Sequence, residues 1–172
     1  MLQNLPKMKE LAKEICKEQG CELYDLDFSP GSKGEGRRLL VYVEKSGGVN
    51  LEDCERVSKG LSEILDANDL IPDGEYALEV SSPGLERPLK DKWHFEAVVG
   101  QKIFVHSTES MDPSASVPRY KVTGTLEKVS ESVEDSEITV KADGKDFVIS
   151  IINVKKSNVI FDYDSIKKQK KN

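Results

Sequence analysis

Apolar positions in the first third of the chain change period twice. Leu5, Met8, Leu11, Ala12, Ile15 and Cys16 recur at three- and four-residue steps, one face of an amphipathic helix. Asn4 stands where an N-cap belongs, Pro6 falls in the tolerant first turn, and Gly20 supplies the stop. Tyr24, Leu26 and Phe28 then alternate with Asp25 and Asp27, the signature of a half-buried strand. Beyond a Gly- and Ser-containing loop at 30–36, Arg37–Glu44 alternates again, with Leu39, Val41 and Val43 on one face and Leu40 and Tyr42 on the other. The two strands should pair as an antiparallel hairpin. Asn50-Leu51-Glu52-Asp53 reads as a cap with an acidic first turn. Leu51, Cys54, Val57, Leu61, Ile64 and Leu65 mark the buried stripe of a second helix, and Tyr76, Leu78 and Val80 a third strand.

The texture changes after residue 90. Asp91–Val99 predicts a short helix presenting Trp93, Phe95 and Val98. From Gly100 onward short apolar strands are expected at 102–106, 120–126, 137–141, 147–152 and 158–161, with a long polar loop from Ser107 to Pro118. The fold class expected is α+β: an αββαβ two-layer domain followed by an all-β small barrel of SH3-like or Sm-like type. The predicted boundaries are 1–90 for the first domain, 91–99 for a linker helix, 100–165 for the barrel and 166–172 for a basic tail.

Charge narrows the function classes. Residues 1–96 carry 13 Lys and Arg against 20 Asp and Glu, and residues 97–172 carry 12 against 11, so the net charge of −6 arises in the first half. Such a domain does not wrap RNA by neutralising phosphates; it suits a basic protein partner or simply stays soluble. No apolar run reaches the ~18 residues of a membrane helix, and the N-terminal stretch lacks the pattern of a signal peptide, so a soluble cytoplasmic protein is expected. The three cysteines form no CxxC pair and read as core thiols.

Several motifs suggest chemistry and lose to plainer readings. Gly31-Ser32-Lys33-Gly34 spells the GxxG of a KH clamp, but a KH loop joins two helices and this one tips a hairpin. Lys33, Arg37 and Arg38 remain candidates for a weak RNA contact, as do Lys167, Lys168, Lys170 and Lys171 of the tail. Ser81 and Ser82 lack a nucleophile elbow, and only His94 or His106 could serve as a base. Glu52, Asp53 and Glu55 fall in a helix first turn, where negative charge is favourable without a metal. No catalytic set, metal or cofactor is expected; the chain reads as a binding module.

The stretch Leu78–Leu89, LEVSSPGLERPL, begins as strand and breaks at Ser-Ser-Pro-Gly. It resembles the hallmark of the RimP family of bacterial ribosome maturation factors, in which Asp usually occupies the position of Glu86. Val43-Glu44-Lys45 with Gly48–Glu55 and Val57-Ser58 is similar to a second block of that family. Phe95, Gly100, Gly124-Thr125-Leu126 and Ile152–Lys156 resemble its weaker later motifs, whereas the Ser107–Pro118 loop is longer than the family form. The resemblance implies a non-enzymatic, monomeric assembly factor for the small (30S) ribosomal subunit, with no cofactor and no catalytic residues. The partners it implies are the immature 30S particle, small-subunit rRNA and a basic ribosomal protein near the decoding centre. The candidate partner surface is Ser82, Pro83, Gly84, Leu85, Arg87 and Pro88, with a rigid interdomain corner as the alternative role. A messenger-RNA regulator acting through the barrel and a hydrolase using Ser82 are the competing readings.

Overall fold

In the computed structural model, residues 4–31, 36–71, 74–112, 115–130, 132 and 136–161 are described. The chain divides into two compact units between Pro83 and Gly84.

The first unit contains α1 (Leu5–Glu18), β1 (Glu22–Ser29), β2 (Arg37–Glu44), α2 (Leu51–Ala67) and β3 (Tyr76–Ser81), the predicted αββαβ order. Its sheet runs β1-β2-β3, antiparallel across the hairpin and parallel between β2 and β3. Leu39, Val41 and Val43 are fully buried beneath Met8, Ala12 and Cys16 of α1 and Val57, Leu61 and Leu65 of α2. The helix-facing stripe and the strand alternation therefore meet as one core.

Three local expectations change. Asn4 sits at the α1 N-cap position, but its side chain donates to the Leu70 carbonyl at 3.1 Å instead of capping. Leu51 is 84% exposed. At about 100° per residue it lies on the margin of the α2 stripe, whereas Asp53 falls inside it. Asp25 is buried beside Lys9 Nζ at 3.3 Å, because a bulge between Leu23 and Asp25 breaks the alternation of β1. The α1 terminus follows expectation: Gly20 adopts φ +71°, and the N–H groups of Gly20 and Cys21 close on the carbonyls of Lys17 and Cys16, a Schellman motif.

The second unit contains α3 (Lys92–Glu96), β4 (Lys102–Ser107), β5 (Lys121–Val129), β6 (Glu137–Ala142), β7 (Lys145–Ser150), a 3₁₀ turn (Ile151–Asn153) and β8 (Val154–Val159). All pairs are antiparallel, in the order β7-β6-β5-β4-β8. The last strand was expected at 158–161 and begins at Val154, because the expected strand at 147–152 ends at Ser150 in the 3₁₀ turn. The loop between β4 and β5 folds back on itself: Met111 N–H donates to the Arg119 carbonyl at 2.8 Å, and Met111 packs against the core.

The domain boundary also moves. Leu89, Phe95 and Val98 are buried in the core of the second unit with Ile103, Leu126 and Val140. The helix expected as a linker at 91–99 is thus part of that unit. Pro88 is extended and bridges to Asn158, and α3 starts beyond it, at Lys92.

Candidate binding sites

The signature stretch is split by the division of the fold. Ser81 ends β3, Ser82 is exposed and Pro83 is half-buried at the end of the first unit. Gly84, at φ +76°, and Leu85, 55% exposed, open the second. Arg87 Nε donates to the Gly84 carbonyl at 3.3 Å, closing a small turn. The next residues run along β8: the Arg87 carbonyl accepts from Val159 N–H at 3.1 Å, and Leu89 N–H donates to the Ser157 carbonyl at 3.0 Å. Ser157 Oγ, itself buried, donates to the Leu89 carbonyl. Arg87–Leu89 therefore covers the open edge of β8, and Leu89 anchors it in the core. The alternation of Arg87, Pro88 and Leu89 was too short to announce a strand; the neighbouring proline argued against one.

The other candidate residues scatter. Arg37 donates through Nη2 to the Gly74 carbonyl at 2.8 Å and lies over the Phe28 ring at 5.8 Å. Arg38 pairs with Glu79 at 3.6 Å across the β2–β3 register. Both border an open cleft with Glu75 and Tyr76, and both are engaged within their own sheet. Lys33, Lys167, Lys168, Lys170 and Lys171 lie outside the described residues.

The acidic turn of α2 resolves into a structural latch. Asp53 is fully buried while Glu52 and Glu55 are exposed, so the three carboxylates do not converge. Asp53 N–H donates to Asn50 Oδ1 at 2.9 Å, and Asn50 N–H returns a bond to Asp53 Oδ2 at 3.2 Å, a reciprocal capping box. Lys45 Nζ at 2.9 Å and Arg56 Nη2 both reach Asp53 Oδ1. The Lys45 bond and the Asn50 N–H hold the carboxyl below its usual pKa against the opposing effect of burial, with the charges of Lys45 and Arg56 adding to them. The capping pattern places Asp53 at the helix start, whereas Lys45, which closes the latch from the end of β2, carries no such signal in the sequence.

The two histidines do different work. His94 is buried, and its Nδ1 accepts from the backbone N–H groups of Lys90 at 3.0 Å and Asp91 at 3.1 Å. The imidazole is a staple for the start of α3, which removes it as a candidate base for Ser82. His106 is half-buried on β4; burial and then the charges of Lys121 and Lys155 push its pKa below the usual histidine value. Cys16 and Cys21 are buried and Cys54 is half-buried; burial, with a smaller contribution from Cys21, raises the Cys16 thiol to about 12, a core thiol rather than a nucleophile. No helix among the described residues is long and apolar enough to cross a membrane.

These features define a two-unit protein, an α+β layer and an antiparallel β unit, whose buried charges are tied into its own scaffold. The sequence model of the RimP N-terminal domain matches residues 11–86, nearly the whole of the first unit. That match assigns residues 11–86 to the RimP family, whose members are non-enzymatic ribosome maturation factors.

Proposed function

We propose that this protein is a non-catalytic maturation factor for the small (30S) ribosomal subunit, acting in the cytoplasm as a monomer on immature particles. The observation that carries the reading is the RimP N-terminal domain match over residues 11–86. The collinear motifs that continue to Lys156 extend the family resemblance into the second unit. In this reading the second unit is a small SH3- or Sm-like barrel; the placement of its last strand β8 beside its first strand β4 supports that assignment. The acidic balance of residues 1–96 favours a basic ribosomal protein near the decoding centre as one partner, with small-subunit rRNA beside it. Ser82, Gly84 and Leu85 are exposed and available to a partner, while Arg87 and Pro88 hold the following turn in place. The factor stabilises a productive intermediate and then leaves.

The test is co-sedimentation of the full chain with immature small subunits across a salt series. Binding to immature particles that weakens with salt is the expected result, because charged-protein and phosphate contacts are screened. Retention only on mature 70S ribosomes overturns the assignment. A strain lacking the protein should accumulate free subunits and unprocessed small-subunit rRNA.

A further inference from the structure

The β-sheet of the second unit has faces of opposite character. One carries core residues such as Ile103, Val105, Val122 and Val159. By alternation the other carries Lys102, Phe104 and His106 on β4, and cross-strand register arranges their neighbours in rows. His106 stands between Lys121 of β5 and Lys156 of β8. Phe104 stands between Thr123 and Asn158, and Pro88 extends that row beyond Asn158. Lys102 lies opposite Thr125. Successive rows are two residues apart, roughly 7 Å along a strand.

Three observations point to one kind of ligand. Lys102, Lys121 and Lys156 are exposed, as is Lys155 in the bulge of β8. The segments 102–107, 121–125 and 154–159 contain no Asp or Glu, although the chain as a whole carries a net charge of −6. The three strands carry five lysines against one acid, Glu127 of β5, and the basicity of His106 is depressed first by burial and then by the charges of Lys121 and Lys155. Phe104 is half-buried and alternates with the core-facing Ile103 and Val105, so its ring belongs to the charged face. A ring lying between the row that carries Lys121 and Lys156 and the row that carries Lys102 suits a base stacked between two phosphates. An acidic peptide uses the lysines but leaves the ring without a partner, and a duplex keeps its base faces inside the helix.

We infer that the β8–β4–β5 face binds single-stranded RNA, with Lys102, Lys121 and Lys156 holding phosphates and Phe104 stacking on a base. This deepens the maturation-factor reading by naming the surface and the RNA form it takes, and it rests on that reading for its biological setting.

The experiment measures binding of the full chain to a labelled 10-nucleotide single-stranded RNA, its duplex and a poly-Glu peptide over a salt series. Single-stranded RNA binds tightest. Lys121→Glu combined with Lys156→Glu lowers that affinity at least ~10-fold and flattens the log–log salt slope by roughly 1.4, about 0.7 for each lost phosphate contact. Phe104→Leu weakens it roughly 5- to 50-fold and leaves the slope unchanged. Melting followed by Trp93 fluorescence confirms that each variant is folded; should Phe104→Leu unfold, the lysine pair alone still decides. Parent-like affinity and slope in the lysine variant overturn the inference, as does poly-Glu binding equal to RNA and indifferent to Phe104. If the parent co-sediments with immature subunits but the lysine variant binds RNA normally, only this surface is refuted. If the parent fails to co-sediment, the maturation reading fails while the RNA result stands on its own.

Discussion

Gly124 offers a sharp test of how the second unit is built, because its glycine is required by contact rather than by dihedral angle. A Cβ added there meets the Lys141 carbonyl oxygen well inside van der Waals contact and the Ala142 Cβ at 2.9 Å, since β6 folds closely across β5 at this point. Carbon atoms rest about 3.5–4.0 Å apart, so the two strands must separate by ~0.6 Å or more, and further at the carbonyl. A widening of that size carries ladder bonds beside Thr125↔Lys141 past hydrogen-bond range. Two such bonds at ~1 kcal/mol each, with ~1–3 kcal/mol of overpacking strain, give about 3–5 kcal/mol for Gly124→Ala. A unit of this size loses ~4–8 °C per kcal/mol, so its melting should fall by at least ~12 °C. The chain provides a separate probe for each unit. Trp93, the only tryptophan, sits in α3 of the second, while the long helices α1 and α2 of the first dominate the far-UV circular dichroism. The Trp93 transition should drop while the helical signal persists. Gly84→Ala is the control: at φ +76° with nothing within 4 Å, it costs only the ~1–2 kcal/mol of left-handed backbone. A Trp93 transition for Gly124→Ala within ~4 °C of the parent refutes the packing argument.

Two further variants test other parts of the fold. Leu89→Ala should cost about 2–5 kcal/mol and lower the Trp93 transition while sparing the helical signal, because Leu89 is buried in the second core; loss of the helical signal instead would return it to the first unit. Asp53→Asn should lower the melting temperature of the first unit at pH 7. The native carboxyl has a depressed pKa, so its stabilisation is full above the unfolded value of 3.8 and is lost as pH falls through the native one. The gap between parent and variant should accordingly narrow below about pH 4 in melts followed by circular dichroism; a gap independent of pH contradicts the latch.

Local rules were sufficient where neighbours in sequence are neighbours in space. The helix period of Met8, Ala12 and Cys16, the alternation of Leu39, Val41 and Val43 and the cap at Asn50 all survive unchanged, since each depends on the geometry of a single element. The candidate partner residues were legible as a run but not as a surface. Their run crosses from one compact unit to the next, and Arg87–Leu89 takes its conformation from β8, some 70 residues away. Asp25 and Asp53 escaped for a related reason: a pattern of hydrophobicity marks a charged residue as exposed, whereas Lys9 and Lys45 make its burial tolerable.

The sequence by itself determined the elements of the first unit, the antiparallel β character of the second and the motifs that tie residues 11–86 to the RimP family, because period, turn chemistry and motif are properties of the chain. Tertiary structure alone decided which residues of different strands share a face. Lys102, Phe104, Lys121 and Lys156 are up to 54 positions apart and carry no motif, yet register sets them side by side. Strand pairing, not spacing along the chain, turns scattered lysines in an acidic protein into one basic surface.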